Sequence, residues 1–142
     1  VRLSKDFFLE YEGNHPYFFK IDKIEDADIT GYFQRFIGND DRRAFLAAEG
    51  TEIIGYVSVL IQEQAGYWMV KKVGHISGLM VDQAHRRKGV GRKLLQAAEE
   101  FFKSKGLKQY TLFTSVNNRN GIEFYRGSGL SELFTTMMGE VR

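Results

Sequence analysis

Cysteine is missing altogether from this sequence. That excludes a thiol nucleophile, a disulfide framework and any thiolate metal site. Proline occurs once, at Pro16, against fifteen glycines, so the breaks between elements fall mostly to glycine. Apolar runs extend only a few residues, so nothing is expected to span a bilayer, and no signal peptide is read at the start. Excess charge is scarce too: 20 Lys and Arg against 18 Asp and Glu leave +2. Net charge gives no argument for nucleic acid, and the local placement of cations has to decide. Repeats, low-complexity tracts and linkers are absent from the pattern, which leaves no place for a second domain.

What is present fits a folded globule: 142 residues, 43% hydrophobic, 14% aromatic and 27% charged. A chain of this length buries roughly two thirds of its unfolded surface, so one domain over residues 1–142 needs neither metal nor disulfide. A cytoplasmic location is the default expectation. The chain opens on Val1 rather than Met, which leaves room for residues upstream.

Periodicity predicts a short helix over residues 3–11 with Ser4 as candidate cap, broken by Gly13-Asn14-His15-Pro16. Residues 17–22 read as a strand. Ile29, Tyr32, Phe33 and Phe36 recur at helical spacing over 26–37. Residues 45–49, the Gly50-Thr51 turn and 53–61 read as a hairpin. A second reversal within 62–66 leads to 67–70 and 75–81, one long or interrupted strand. An amphipathic helix follows over 92–103, with Leu94, Leu95, Ala98, Phe101 and Phe102 on one face and Gly106 as its stop. A strand over 108–114, a short helix over 119–125 and a strand over 133–138 complete the chain. Strands before and after the long helix make a crossover, hence a mixed α/β sheet with packed helices. The strand ending at Val81 and the strand 108–114 are expected to be parallel neighbours that splay at the Val81 end.

The segment with most chemistry is Val81-Asp82-Gln83-Ala84-His85-Arg86-Arg87-Lys88-Gly89-Val90-Gly91-Arg92. An apolar strand enters a turn with two glycines, and a helix starts at once. The first helical N–H groups lack intrahelical partners and point back into that turn. Five cations lie from Arg86 to Lys93. Together these suit a phosphate or pyrophosphate. The spacing is wrong for a P-loop, and the dinucleotide pattern would need glycine at Leu94. The plainer alternative is a solvated turn whose glycines only begin a helix.

Arg86-x-x-Gly89-x-Gly91 resembles the pyrophosphate loop of the GNAT superfamily of acetyl-CoA-dependent N-acetyltransferases. A second block, Asn118-Arg119-Asn120-Gly121-Ile122-Glu123-Phe124-Tyr125 with Gly129-Leu130, is similar to that family's N-x-x-A-x-x-F-Y and the Gly-Phe after it. Residues 45–49 and 54–57 are similar to its early hairpin. The resemblance covers residues 44–138. Upstream, the family's first strand is either 17–22 or lost before Val1, with 3–11 and 26–37 as its first two helices. The resemblance implies a mostly antiparallel central sheet with helices on both faces and a splayed parallel strand pair. It implies acetyl-CoA as co-substrate, no metal, and a site assigned residue by residue. Leu79, Met80 and Val81 would pair their backbone with the pantetheine amides. Arg86 opens the loop, and Arg87, Lys88, Gly89, Val90, Gly91 and Arg92 would hold the pyrophosphate. Asn118 would touch the cofactor arm, and Tyr125 would protonate the departing thiolate. Gly121 departs from the usual alanine, a change expected to be harmless sterically while weakening the helix by about 1 kcal/mol. Leu130 departs from the usual Phe, with no effect expected.

Acetyl transfer to an amine needs a neutral amine, a polarised carbonyl and a proton for the thiolate. Without cysteine an acyl-thiol enzyme is unavailable, so direct attack in a ternary complex is expected. Tyr125 is the candidate acid, with a core aromatic as the alternative. His75 is the candidate base, sharing strand parity with Ser77, Leu79 and Val81; a structural His is the alternative. Phe113 stands where some family members carry a Glu, and Glu49 and Glu123 are the remaining acids. Phe18, Phe19, Tyr32, Phe36, Tyr67 and Trp68 are either core or the wall of the acceptor cleft. The acceptor is expected to be a small-molecule or protein amine, with no nucleic acid or membrane partner, and the chain a monomer or homodimer. The competing readings are a catalytically silent acyl-CoA-binding regulatory module, a nucleic-acid binder through residues 86–93, and a transferase using another acyl donor.

Overall fold

Alternating apolar residues on either side of Gly50-Thr51 turn the middle of the chain back on itself, and the other elements build outward from that hairpin. The computed structural model describes residues 1–15 and 17–142. Strands β1 (Arg42–Glu49) and β2 (Glu52–Glu63) pair antiparallel, with Gly50 at φ 62° taking the left-handed corner. Strand β3 (Lys72–Val81) adds antiparallel to β2, and β4 (Tyr110–Leu112) adds parallel to β3, giving the order β1-β2-β3-β4. Helices α1 (Arg2–Glu12) and α2 (Asp26–Gln34) precede the sheet, α3 (Val90–Ser104) carries the crossover, and α4 (Arg119–Gly127) follows β4. No helix among the described residues is long and apolar enough to cross a membrane.

The apolar face of α3 makes the main core. Leu94, Leu95, Ala98, Phe101 and Phe102 pack on Val57, Val59, Ile76 and Val81. Backbone and ring come so close there that a Cβ built on Gly74 would lie 2.5 Å from the Phe102 ring, which accounts for glycine at that position. On the opposite face Leu3, Tyr56 and Met80 form a smaller cluster, joined by Phe7 of α1 and Phe33 of α2. The sheet is thus covered on both sides, as the crossover and the family resemblance imply.

Two irregularities of β3 set up the site. First, its pairing with β4 covers only Gly74↔Tyr110, His75↔Thr111 and Ile76↔Leu112. From Ser77 to Val81 that edge has no β4 partner, so the parallel neighbours splay at the Val81 end. Second, the register to β2 steps from Ser58↔Gly78 to Val59↔Ile76, leaving Ser77 as an extra residue. Ile76 faces α3, Ser77 and Gly78 both face α1 and α2, and Val81 faces α3 again. The expected shared parity of His75, Ser77, Leu79 and Val81 is therefore wrong, because the bulge flips the alternation after Ser77.

Several expected elements are replaced by local hydrogen bonding. Residues 17–22 form no strand: the Tyr17 and Phe18 amides donate to His15 Nδ1 (3.1 and 2.8 Å) and the Ile21 amide to Glu12 (2.7 Å). Pro16, the last residue of the expected break, lies outside the described residues. Ser4 is not a cap, because α1 begins at Arg2 and buries Ser4 in its first turn. Residues 67–70 form a turn rather than strand, held by Trp68 N–H to Ala65 (3.0 Å) and Gln64 to Val70 (2.8 Å). Residues 108–114 keep only three residues of strand, and 133–138 none, with Leu133 and Met137 exposed. The alternation at 133–138 has no strand beside it among the described residues.

His75 is buried where β3 meets β4, its Nδ1 3.0 Å from the Thr111 hydroxyl, and burial lowers its pKa below the usual 6.5. The unfolded chain binds a proton near 6.5 that the folded chain resists. That contribution to stability is therefore fully present above 6.5 and is lost as pH falls from that value through the lower folded pKa. Asp26, Asp82 and Glu132, whose pKa values are also lowered, add their losses only nearer pH 4. The urea midpoint is expected to fall between about pH 7.5 and 5.5, and His75→Gln should flatten that slope. An unchanged slope in His75→Gln would place the titration elsewhere.

Candidate active site

At the end of β3 the chain has to turn sharply into α3, and side chains on three elements hold that turn. The Asp82 amide donates to Ile54 (2.7 Å), and a 3-10 turn at Gln83–His85 follows. His85 reaches Asp82 through Nδ1 (3.0 Å) and Glu49 through Nε2 (3.2 Å). Hydrogen bonds from His85 and Arg2 hold the Asp82 carboxyl below the usual carboxylate range. Arg86 folds back: Nε donates to the Val81 carbonyl (2.9 Å) and Nη2 to Glu10 (2.6 Å), with the Met80 sulfur at 3.5 Å. Its guanidinium therefore ties β3 to α1.

Beyond Arg86 the backbone itself becomes the feature. Arg87 and Gly89 both sit in the left-handed region, at φ 62° and 83°. Glycine adopts this without strain, whereas Arg87 does so at a cost of about 1–2 kcal/mol. Such left-handed residues turn neighbouring N–H groups into one concavity that suits an anion. The first intrahelical bond closing α3 runs from Lys93 to Gly89 (3.1 Å), so the amides of Val90, Gly91 and Arg92 have no partner within the helix. A Cβ on Gly89 would meet nothing within 4 Å, so the approach is open. A Cβ on Gly91 would just touch Phe124 (3.4 Å) and Val81 (3.7 Å), which leaves room for alanine. Arg87, Lys88 and Arg92 are exposed around this loop.

The unpaired edge of β3, with the backbone of Leu79, Met80 and Val81, runs up to the loop. The Phe124 ring lies against Gly91, which holds α4 to the start of α3. Asn118 caps α4, accepting from Gly121 N–H (3.2 Å) and donating to Thr114 (3.2 Å). A Cβ on residue 121 would collide with that Asn118 side chain, so Gly121 is what admits this cap. Tyr125, edge-on to Phe124 at 5.2 Å, is half-buried, and burial alone pushes its hydroxyl pKa up to about 12. It keeps its proton at any physiological pH. Tyr110 is raised equally, by burial first and then by Glu99 and Tyr125.

Across the bulge, on the α1/α2 face, lies a cavity of about 300 Å³. Phe7 and Phe8 of α1, Ile29, Tyr32 and Phe33 of α2, and Tyr56 of β2 supply most of its wall. Its floor is a chain of hydroxyls: Tyr32 donates to Ser77 (2.7 Å), and Ser77 bonds Ser58 (2.8 Å). Of the aromatics read from the sequence as core or cleft wall, Tyr32 lines this cavity and Phe36 is buried. Phe19 packs on Tyr11, while Phe18, Tyr67 and Trp68 are exposed. The four-residue spacing of Leu3 with Phe7 and of Ser4 with Phe8, and two serines inside apolar strands, were the available signals for what sequence reasoning missed. His75 does not line the cavity; its ring lies 5.0 Å from Phe113, beneath β4. Glu49 is bound to His85, and Glu123 is exposed on α4. A second hollow, of about 360 Å³, lies between β1 and the far end of α3 from the loop.

Three likenesses bear on this geometry. The chain is 26% identical over 130 residues to an uncharacterized N-acetyltransferase of Methanocaldococcus jannaschii, a match covering 89% of this chain and 54% of that protein. The chain thus spans about half the length of that relative. Its fold matches a mutant of the BH1408 protein from Bacillus halodurans with a TM-score of 0.86 at 18% identity, over 99% of this chain and 90% of the other. It also matches an aminoglycoside N-acetyltransferase in complex with CoA, with a TM-score of 0.71 at 19% identity, over 82% and 87% of the two chains. Residues 6–130 match the model of the acetyltransferase (GNAT) family. The left-handed loop between a splayed strand and α3 thus has its place in a known architecture, and this chain belongs to the acetyltransferase (GNAT) family.

Proposed function

We propose that this chain moves an acetyl group from acetyl-CoA to a primary amine by direct attack in a ternary complex. The observation that carries the reading is the placement of two sites along one strand, β3. An amide-lined anion loop closes one end of the unpaired β3 edge, and a hydroxyl-floored cavity opens on the other face at Ser77 and Gly78. The residues present fit CoA: a Cβ-free approach at Gly89, free amides at Val90, Gly91 and Arg92, and exposed cations for a pyrophosphate. Leu79, Met80 and Val81 supply strand edge for an amide-bearing arm.

Acetyl-CoA supplies the activated acetyl group. The amine nitrogen forms the new C–N bond as the C–S bond breaks, and the chain's residues manage the charges. The apolar wall disfavours an ammonium and so favours the neutral amine. Tyr125 donates to the departing sulfur. A phenol with a pKa of about 12 is a hydrogen-bond donor first and a proton source second, so it stabilises the developing thiolate, which ends as the thiol. His75 does not line the cavity, so it is a candidate acceptor of the amine's surplus proton only through a chain of water, with bulk water as the alternative. Burial keeps it neutral near pH 7, and Nε2 is the nitrogen left over once Nδ1 bonds Thr111. Asn118 acts through α4, setting where Tyr125 stands, and Arg86 acts by bracing the loop.

Gly89→Val forces a β-branched residue into a left-handed position and a side chain into the open approach. Calorimetric titration with CoA should show affinity reduced by about 10-fold or more. Gly91→Ala is the control and should stay within about twofold, since its methyl only touches Phe124. Unchanged affinity in Gly89→Val would remove the loop from CoA binding.

Tyr125→Phe keeps the packing and deletes one hydroxyl. With chemistry rate-limiting, kcat should fall by roughly 10- to 1000-fold while CoA affinity barely moves. The wild-type kcat should also show no alkaline decline below about pH 10, because the hydroxyl stays protonated there. A kcat for Tyr125→Phe within about twofold of wild type would make Tyr125 a packing residue.

A further inference from the structure

The cavity between α1, α2 and the bulge has a composition that selects among amines. We propose that the acceptor is a monoamine on a compact aromatic or apolar body, an arylalkylamine, and not a polycation. The inference rests on the acetyl-transfer reading above and narrows its acceptor class.

Three observations carry it. The first is the wall: Phe7, Phe8, Ile29, Phe33 and Tyr56 offer an aromatic body ring edges and faces. The second is the distribution of polar groups. The floor hydroxyls of Tyr32, Ser77 and Ser58 lie together at the bulge, so they offer hydrogen bonds to one amine at one end of the cavity. The third is charge. Asp28 is the one carboxylate in the lining, and it already accepts the Glu25 amide as part of the α2 cap. Of the other carboxylates of α1 and the start of α2, Asp6 pairs with Arg2 (3.6 Å), Glu10 with Arg86 (2.6 Å), Glu25 with Lys23 (2.7 Å) and Asp26 with Lys5, while Glu12 accepts the Ile21 amide (2.7 Å) and does not line the cavity. The lining therefore offers one carboxylate, enough for one ammonium, and a ligand with several ammonium groups would have to leave water for an apolar wall that cannot match the rest, which is costly.

Size agrees. The cavity of about 300 Å³ lies at the small end of ligand pockets, which suits a compact body such as 2-phenylethylamine. The same apolar wall that holds the ring lowers the amine's pKa, so the binding class and the need for a neutral nucleophile point the same way.

The test uses the full chain. Acetyl-CoA binding is measured by calorimetry, and CoA release is followed with a thiol reagent against 2-phenylethylamine, spermidine, kanamycin and a lysine peptide. The expected result is acetyl-CoA binding together with kcat/KM for 2-phenylethylamine at least about ten times that of any other amine. Phe8 is 42% exposed at the cavity, so Phe8→Ala should fold, as circular dichroism would check. It should raise KM for 2-phenylethylamine by about fivefold or more with kcat little changed. Binding with a preference for spermidine, kanamycin or the peptide overturns the inference and leaves the transfer reading standing. An unchanged KM in Phe8→Ala removes the acceptor from this cavity and overturns it as well. Binding without turnover of any amine overturns both the inference and the transferase reading, while the CoA loop survives. A chain that does not bind acetyl-CoA overturns all three.

Discussion

A strand alternates its side chains strictly between two faces, yet β3 has to serve a helix core at both ends and a polar floor in its middle. Strict alternation cannot do this with the residues present. The extra residue at Ser77 shifts the phase, so that Ile76 and Val81 both reach the α3 core while Ser77 and Gly78 both turn to α1 and α2. Bulges add local twist, and pairing with β4 stops at Ile76↔Leu112, the residue before the insertion. One local irregularity thus coincides with the opened strand edge and with the hydroxyl floor. The pair Ser58 and Ser77, bonded at 2.8 Å, satisfies the polar groups this brings inside.

The loop at the other end of β3 is built on a different constraint. Arg87 holds a left-handed conformation that glycine would adopt freely. Such strain survives only when neighbours over-determine the backbone. Here they do: Arg86 is fixed to the Val81 carbonyl and Glu10, and His85 bridges Asp82 and Glu49. Of the five cations read from the sequence as one patch, Arg86 serves to anchor, which leaves the backbone amides and the exposed Arg87, Lys88, Arg92 and Lys93 available to an anion. Exposed charges are screened within about 10 Å by salt, so the fixed amides are the more dependable part of the arrangement.

Where the sequence was legible, the signal lay within one element. The apolar stripe of α3, the Gly50 corner of the hairpin and the glycines at 89 and 91 each depend on neighbours a few residues away. Where it misled, the answer depended on a partner elsewhere. Residues 17–22 and 133–138 have strand-like composition, but the first lose their amides to His15 and Glu12 and the second have no strand beside them among the described residues. The bulge was illegible for the same reason, since a register step between β2 and β3 leaves no mark on either strand alone. That step separates His75 and Ser77 from Leu79 and Val81 and creates the hydroxyl floor, neither of which the alternation of β3 alone predicts. Family resemblance located the loop and α4 well because those motifs are local. It pointed to the first two helices as a cleft wall, but not to Phe7, Phe8 and Tyr56, which line the cavity with Tyr32.

The departure at Gly121 illustrates how a local loss is offset by a neighbour. Glycine in place of alanine in a helix costs about 1 kcal/mol. The same glycine clears the space into which Asn118 folds, and the cap it makes on the Gly121 amide contributes about 1 kcal/mol in return. The two terms nearly cancel, so α4 is no weaker for lacking alanine, but its start is now fixed by Asn118 and by the Asn118–Thr114 bond that links it to the segment leaving β4. Fixing the start of a nine-residue helix fixes the positions of Phe124 and Tyr125. Phe124 seats on Gly91, and Tyr125 beside it is buried enough to raise its hydroxyl pKa. On the proposed mechanism Asn118 would therefore act through the helix it caps, by setting where α4 carries Tyr125.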